Sequence, residues 1–212
     1  MHLLFYMDFI YEIPNNLSKE FCESVIKKFN EDKHLHKKGK IGISPFSDKP
    51  SGFFMEDLKD THEMFISDLE DWKEIDKVFY EALRDGIKKY TDVLTKCLRP
   101  IFNNEKALKL SLDSMYLDIL QDKGYNIQRV IKNDGWHHDS NITGGKVLVG
   151  IWYLNTIPKE NGGATEFIHG RKVQPEAGKL VLYPASWHHI HRGEPFKDTE
   201  KYICTVSLFP DV

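Results

Sequence analysis

Apolar residues recur at helical spacing in the first half of the chain and at alternating spacing in the second. Leu3 to Tyr11 is aromatic and β-prone and stops at Pro14, which predicts an opening strand. Ser18 is placed to cap a helix through Asn30 whose Phe21, Cys22, Val25, Ile26 and Phe29 follow helical spacing. A longer helix is predicted over Asp71 to Leu98, ended by Pro100. Its stripe of Trp72, Ile75, Val78, Phe79, Leu83, Ile87, Tyr90, Leu94 and Cys97 should bury against a core. Asn103 to Lys109 reads as a connector. From Leu112 the period shortens to that of strands: Met115–Leu120, Asn126–Ile131, Lys146–Leu154, Thr165–Ile168, Lys179–Leu182 and Tyr202–Leu208. Turn residues separate them, among them Gly124, Gly144-Gly145, Asn161-Gly162-Gly163 and Glu176-Ala177-Gly178. Short strands punctuated in this way predict a sandwich or barrel, and the lack of strand–helix alternation argues against a doubly wound sheet.

Between the two helices, Lys33 to Phe54 breaks the pattern with a basic start, Gly39, Gly42, Pro45 and Pro50, and the aromatics Phe46, Phe53 and Phe54. A solvated loop and a lid over a site fit it equally. His34 and His36 are expected to face solvent there. The 212 residues, 41% hydrophobic and 12% aromatic, can build a core. They are expected to form one domain, with residues 1–110 as strand, support helices and loop and 111–212 as the β-core. A net charge of −3 gives no basic footprint for nucleic acid. Cys22, Cys97 and Cys204 are odd in number and widely spaced, which argues against a disulfide framework or structural zinc. No run is long enough to cross a bilayer, and Met1 to Ile13 lacks a basic leader and a cleavage site. No membrane association and a cytoplasmic location are therefore expected.

Chemistry concentrates between Trp136 and Val206. His137 and Asp139 stand two apart in Trp136-His137-His138-Asp139, so on an extended strand both point to one face and can reach one ion. His138 turns the other way. Two imidazoles and a carboxylate are the facial ligand set of non-haem Fe(II) oxygenases. The third ligand must come from His188, His189 or His191, and spacing leaves all three open. A His-x-Asp alone is short enough to arise by chance.

The surrounding segments, in order, are Tyr153-Leu154-Asn155, Gly162-Gly163-Ala164-Thr165-Glu166-Phe167, Val173 to Pro184, and His191-Arg192-Gly193-Glu194-Pro195 with Lys201 ten residues after the histidine. This succession resembles the Fe(II)/2-oxoglutarate oxygenases, in particular the prolyl 4-hydroxylase-like branch, over the C-terminal half of the chain. The resemblance implies a double-stranded β-helix (jelly roll), a mainly β core within an α+β fold, with N-terminal helices in support. It selects His191 by its His-x-Gly-x-Pro context and so implies His137, Asp139 and His191 as metal ligands. It further implies Lys201 as the cation pairing with the far carboxylate of 2-oxoglutarate, Tyr153 as a hydrogen-bond donor to that carboxylate, and Thr205 as a lining residue of the same pocket. Fe(II), 2-oxoglutarate and O2, with ascorbate as an accessory reductant, are the implied cofactors, and succinate and CO2 the products. The implied substrate is a prolyl residue of a peptide or protein; a free amino acid or other small molecule is the alternative. A cupin-like metalloprotein would account for the metal ligands but leave Lys201 and Tyr153 without a partner, and a non-catalytic jelly-roll binding module would form no succinate even with metal bound.

The residues support the resemblance where they can be read alone. A buried dicarboxylate needs a compensating cation, and Lys201, Ile203 and Thr205 alternate onto one face while Tyr202, Cys204, Val206 and Leu208 take the other. Two departures stand out. The family's Gln-Arg-Tyr is Gln128-Arg129-Val130 here, with Tyr125 or Tyr116 as candidate replacements for the tyrosine. Its Gly-Gly-Glu-Thr is Gly162-Gly163-Ala164-Thr165. Trp136, Tyr183 and Trp187 are candidates to line a substrate groove, with core packing the alternative for each.

Overall fold

The computed structural model describes residues 8–40, 59–115, 117–133, 135–140 and 145–211. A short strand β1 (Tyr11–Ile13) leads to helix α1 (Lys19–Glu31), where Ser18 Oγ accepts from Phe21 N, as its N-cap position predicts. Leu3–Met7 of the expected opening strand lie outside the described residues. Of the Lys33–Phe54 segment, Lys33–Leu35 forms a 3-10 turn and Lys37–Lys38 forms strand β2, while residues 41–54 lie outside the description. His34 is exposed as expected, but His36 is not free. Its ring stacks on Phe29 at 3.9 Å, and Nε2 lies 2.8 Å from the Phe29 carbonyl.

Strand β3 (Lys59–Phe65) was not legible as a strand in the sequence. It precedes helix α2 (Lys73–Leu98), which buries Phe79, Leu83, Ile87, Tyr90 and Leu94. Val78 and Cys97, at the margins of the predicted stripe, are exposed. The expected connector at Asn103–Lys109 is instead the start of helix α3 (Glu105–Asp113). Asn104 supplies the reason, since its Oδ1 accepts from Ala107 N at 2.8 Å and satisfies one of the open donors of the first turn.

Met115–Leu120 and Asn126–Ile131 are not two strands. After a 3-10 turn at Leu117–Ile119, one long strand β4 runs from Leu120 to Asn133. Gly124, read as a turn, is an irregularity inside it: φ is +101°, and the pairing register shifts opposite it. The remaining strands are β5 (Leu148–Tyr153), β6 (Thr165–Phe167), β7 (Lys172–Val173), β8 (Leu180–Pro184), β9 (His191–Gly193) and β10 (Lys201–Pro210). Among the described residues they form a seven-stranded antiparallel sheet in the order β1-β8-β5-β10-β4-β3-β2 and a three-stranded sheet in the order β7-β6-β9. The architecture is that of a jelly roll with helices on one side.

Strand alternation divides the interior in two. Tyr202, Cys204, Val206 and Leu208 of β10 join Phe29, Phe79, Leu83 and Trp152 in the core beneath the helices. Ile203, Val149, Ile151, Tyr153, Val181 and Tyr183 point the other way and meet Phe167 and Val173 of the small sheet. No helix among the described residues is long and apolar enough to cross a membrane.

The approach of α1 to the β-core is set at Gly178, whose φ is +82° and whose carbonyl accepts from Leu17 N. A Cβ there would lie 2.0 Å from the Leu17 backbone oxygen, whereas one at Gly170, also at positive φ, would meet nothing within 4 Å. Gly170→Ala should cost about 1 kcal/mol for the left-handed backbone alone. Gly178→Ala should cost clearly more, because backbone must shift. Thermal or chemical denaturation of the two variants checks the ordering.

Candidate active site

The site forms where the segment before β5 crosses the small sheet. His137 and His191 exchange two backbone hydrogen bonds, at 2.9 and 2.8 Å, so the arm carrying His137 and Asp139 pairs with the start of β9. His191 is in turn held in register by β6, where it faces Phe167. Both imidazoles are oriented by carbonyls: His137 Nδ1 donates to Gly135 O and His191 Nδ1 to His189 O, each at 2.9 Å. A carbonyl can only accept, so each Nδ1 carries the proton, and in the neutral ring each Nε2 keeps the lone pair. Candidate ligand atoms of His137, Asp139 and His191 lie within 4.8 Å of one another.

Tyr183 completes the group. Its hydroxyl donates to Asp139 Oδ2 at 2.8 Å and lies 3.3 Å from His191 Nε2. Its one proton is used on Asp139, and His191 Nε2 stands 3.6 Å from Asp139 Oδ2, too far for a hydrogen bond. Burial pushes His191 down to about 4, partly countered by Asp139. Burial alone would raise Asp139, but His191, His137, Lys146 and the Tyr183 hydroxyl together hold it below its ordinary value. Near neutral pH, electron pairs on His191 and Asp139 therefore converge without a proton between them, which suits a divalent cation.

The other histidines point elsewhere. His138 is exposed and bonded to Ser140, as its alternation predicts. His188 stacks on Trp187 at 3.6 Å, and His189 is held by Ser186 Oγ and the Asp8 carbonyl. Both line a separate cavity near Tyr90 and Met115.

The trio opens on a cavity of about 230 Å³ whose wall includes Lys59, Gln128, Lys146, Thr165, Lys201, Thr205 and Ser207. Lys201, 4% exposed, donates to Gly163 O at 2.7 Å, and no carboxylate among the described residues pairs with it. Burial pulls its ammonium down to about 8, with Glu194 opposing. A buried cation answered only by a carbonyl is costly unless an anion joins it. Tyr153 stands behind the wall rather than in it, its hydroxyl 2.6 Å from Thr165 Oγ1. Thr205 Oγ1 accepts from Gln128 Nε2 at 3.1 Å.

The sequence assigns no site role to Thr165, Gln128 or Lys146, although the first two stand in segments that carry the resemblance. Thr165 and Gln128 lie one strand alternation from recognisable core positions, a signal that strand boundaries alone do not resolve. Of the groove-or-core candidates, Tyr183 is buried, with its hydroxyl on Asp139. Trp136 and Trp187 are exposed, and Trp136 lies against Arg192, 4.7 Å from its guanidinium. Tyr125 cannot replace the family tyrosine, because its ring stacks on Phe79 in the helix-side core and its hydroxyl bonds Asp122. Tyr116 lies outside the described residues, and Val130 itself is buried in the cavity wall.

Residues 125–208 match the family model of the 2OG-Fe(II) oxygenase superfamily. No curated protein shows significant similarity in sequence to the chain. Solved structures share the fold at low identity, three of them as follows. A viral collagen prolyl hydroxylase from Paramecium Bursaria Chlorella virus-1, in complex with 2OG, has 13% identity and a TM-score of 0.55, with 94% of each chain covered. A Pseudomonas putida prolyl-4-hydroxylase has 12% identity and a TM-score of 0.55, covering 97% of this chain and 94% of its own. A Trichoplax adhaerens prolyl hydroxylase, in complex with a hypoxia inducible factor oxygen degradation domain peptide fragment, has 16% identity and a TM-score of 0.61, covering 96% and 84%.

Replacing Asp139 by Ala should nearly abolish Mn(II) binding, since it removes the only carboxylate of the trio. Tyr183→Phe should lower the affinity about tenfold, as the loss of a bond orienting a ligand does. Calorimetric titration of both variants, with circular dichroism to confirm folding, checks this pair of outcomes.

Proposed function

We propose that this chain, whose residues 125–208 match the 2OG-Fe(II) oxygenase family model, is an Fe(II)- and 2-oxoglutarate-dependent dioxygenase that hydroxylates a prolyl residue of a peptide or protein. One observation carries the reading. A trio of two imidazole nitrogens and one carboxylate shares a cavity with a buried lysine that has no acidic partner among the described residues. In this reading residues 111–212 are the catalytic core and residues 1–110 its support, within one domain.

His137, Asp139 and His191 would hold the iron, which when bound supplies the activation of dioxygen against the keto acid. The protein's own part is positional. The Gly135 and His189 carbonyls fix both rings, and Tyr183 fixes the carboxylate. Lys201 would pair with the far carboxylate of 2-oxoglutarate, with Thr165 at the wall. Tyr153 would act through Thr165 rather than on the carboxylate itself. Gln128 would hold the Thr205 hydroxyl toward the pocket. Val149, Ile151 and Ile203 close the wall with apolar surface and keep bulk water from the reacting carbon. The prolyl assignment is supported by the fold shared with proteins described as prolyl hydroxylases, one of them with a peptide bound.

Mass spectrometry of proline-containing peptides incubated with enzyme, Fe(II), 2-oxoglutarate and oxygen tests the assignment. A gain of one oxygen on proline, with equimolar succinate, is expected. Robust turnover of a non-prolyl substrate with no such gain would remove the prolyl assignment.

Lys201→Ala should weaken 2-oxoglutarate binding by about a hundredfold, the size of a lost charge-assisted bond in a buried site, with little change in metal affinity. The wild-type amine is charged below about 8 and neutral above it in the free protein. The apparent dissociation constant of 2-oxoglutarate should therefore rise by about tenfold per pH unit above that value. That rise should be absent in the alanine variant, as calorimetry across pH 7 to 9.5 (roughly the window around this titration) would register.

A further inference from the structure

Lys146 lines the same cavity as the trio but has no role in the reading above. It is half-buried, and no carboxylate among the described residues forms an ion pair with it. Lys59, by contrast, is held by Glu63 at 2.7 Å. Asp139 is close enough to feel the Lys146 charge, yet its carboxylate is already engaged by Tyr183 and faces two imidazoles.

Position separates Lys146 from Lys201. Lys201 and Ser207 both line the cavity from β10, six positions apart, or about 20 Å at the rise of a strand. Val147 N donates to Leu208 O, so Lys146 belongs to the Ser207 end. A five-carbon diacid anchored at Lys201 falls well short of that end, where Tyr183, level with Val149 and Ser207 across the sheet, bonds Asp139 of the trio. Charge gives the same answer. A divalent ion, Asp139, a dicarboxylate and Lys201 sum to zero, which leaves the Lys146 charge on the cavity wall uncompensated among the described residues.

We propose that Lys146 is an anion-binding subsite for the substrate, recognising a carboxylate carried close to the oxidised carbon. This rests on the oxygenase reading above and narrows its substrate class. The carboxylate has two sources, an acidic side chain next to the target residue of a peptide or the α-carboxylate of a free amino acid.

The test uses matched probes on the whole protein: peptides with Glu or Gln beside proline, and L-proline against L-prolinamide. Each is measured by turnover and by anaerobic binding to protein loaded with Mn(II) and 2-oxoglutarate. The acid member of at least one pair should be preferred about tenfold or more, mainly through KM and binding, the size of one charge-assisted contact. The peptide pair showing this marks a side-chain carboxylate, the amino-acid pair an α-carboxylate. Lys146→Gln should erase the preference and Lys146→Glu should reverse it, with 2-oxoglutarate affinity at the wild-type value in both. No preference in any pair, or one that survives Lys146→Gln, would overturn the proposal. So would a loss of 2-oxoglutarate affinity in Lys146→Gln, which would assign the lysine to the cosubstrate. Absent succinate from the wild type with every probe would instead count against the oxygenase reading, and the binding arm would still decide the role of Lys146.

Discussion

Two backbone hydrogen bonds between His137 and His191 hold the site together. They come from parts of the chain 54 positions apart (191 less 137) and join a short arm to the edge of the small sheet. Because the link is backbone to backbone, it fixes the alternation of both segments at once. His137 and His191 turn inward as a pair, and Trp136 and Arg192 are thrown to the other side, where indole and guanidinium meet. A slip of one residue would send both imidazoles to that outer face. The hydrogen bonds from each Nδ1 to a carbonyl then choose the tautomer, so ring position and electronic state follow from one local geometry.

Strand β10 imposes a similar economy on the larger sheet. Paired on both sides, by β4 and β5, it cannot rotate. Its even-numbered residues fill the core under the helices, while Lys201, Ile203, Thr205 and Ser207 face the cavity. The same strand therefore supplies stability on one face and chemistry on the other. Burying Lys201 opposes folding by an amount that the Gly163 carbonyl only partly offsets. A ligand carboxylate at Lys201, as proposed, would complete that pairing.

Much of this was legible in the sequence because it rides on periodicity. The split of β10 into two faces, both main helices, the clustering of His137, Asp139 and His191, and the exclusion of His138 follow from spacing alone or from spacing with a resemblance. What was hidden depends on contacts across the fold. Strand β3 lacks an alternating apolar pattern, burying only Thr61 and Met64, so nothing local announces it. Helix α3 is short and buries only Leu108, and its capping asparagine reads equally well as a loop residue. Gly124 signals a break in regular structure, but only the partner strand decides that the break is an irregularity and not a turn. Tyr183 and Thr165 gained their roles from Asp139 and Tyr153, residues far along the chain that the sheets bring to them.

The central claim is that one cavity holds a divalent ion at the trio and a dicarboxylate at Lys201 together. A crystal structure with Mn(II) and 2-oxoglutarate, with anomalous data, tests it most directly. The account predicts one anomalous peak bounded by His137 Nε2, His191 Nε2 and Asp139, and a dicarboxylate whose far end meets Lys201 Nζ. A metal held by His188 or His189, or a dicarboxylate bound away from Lys201, would contradict it.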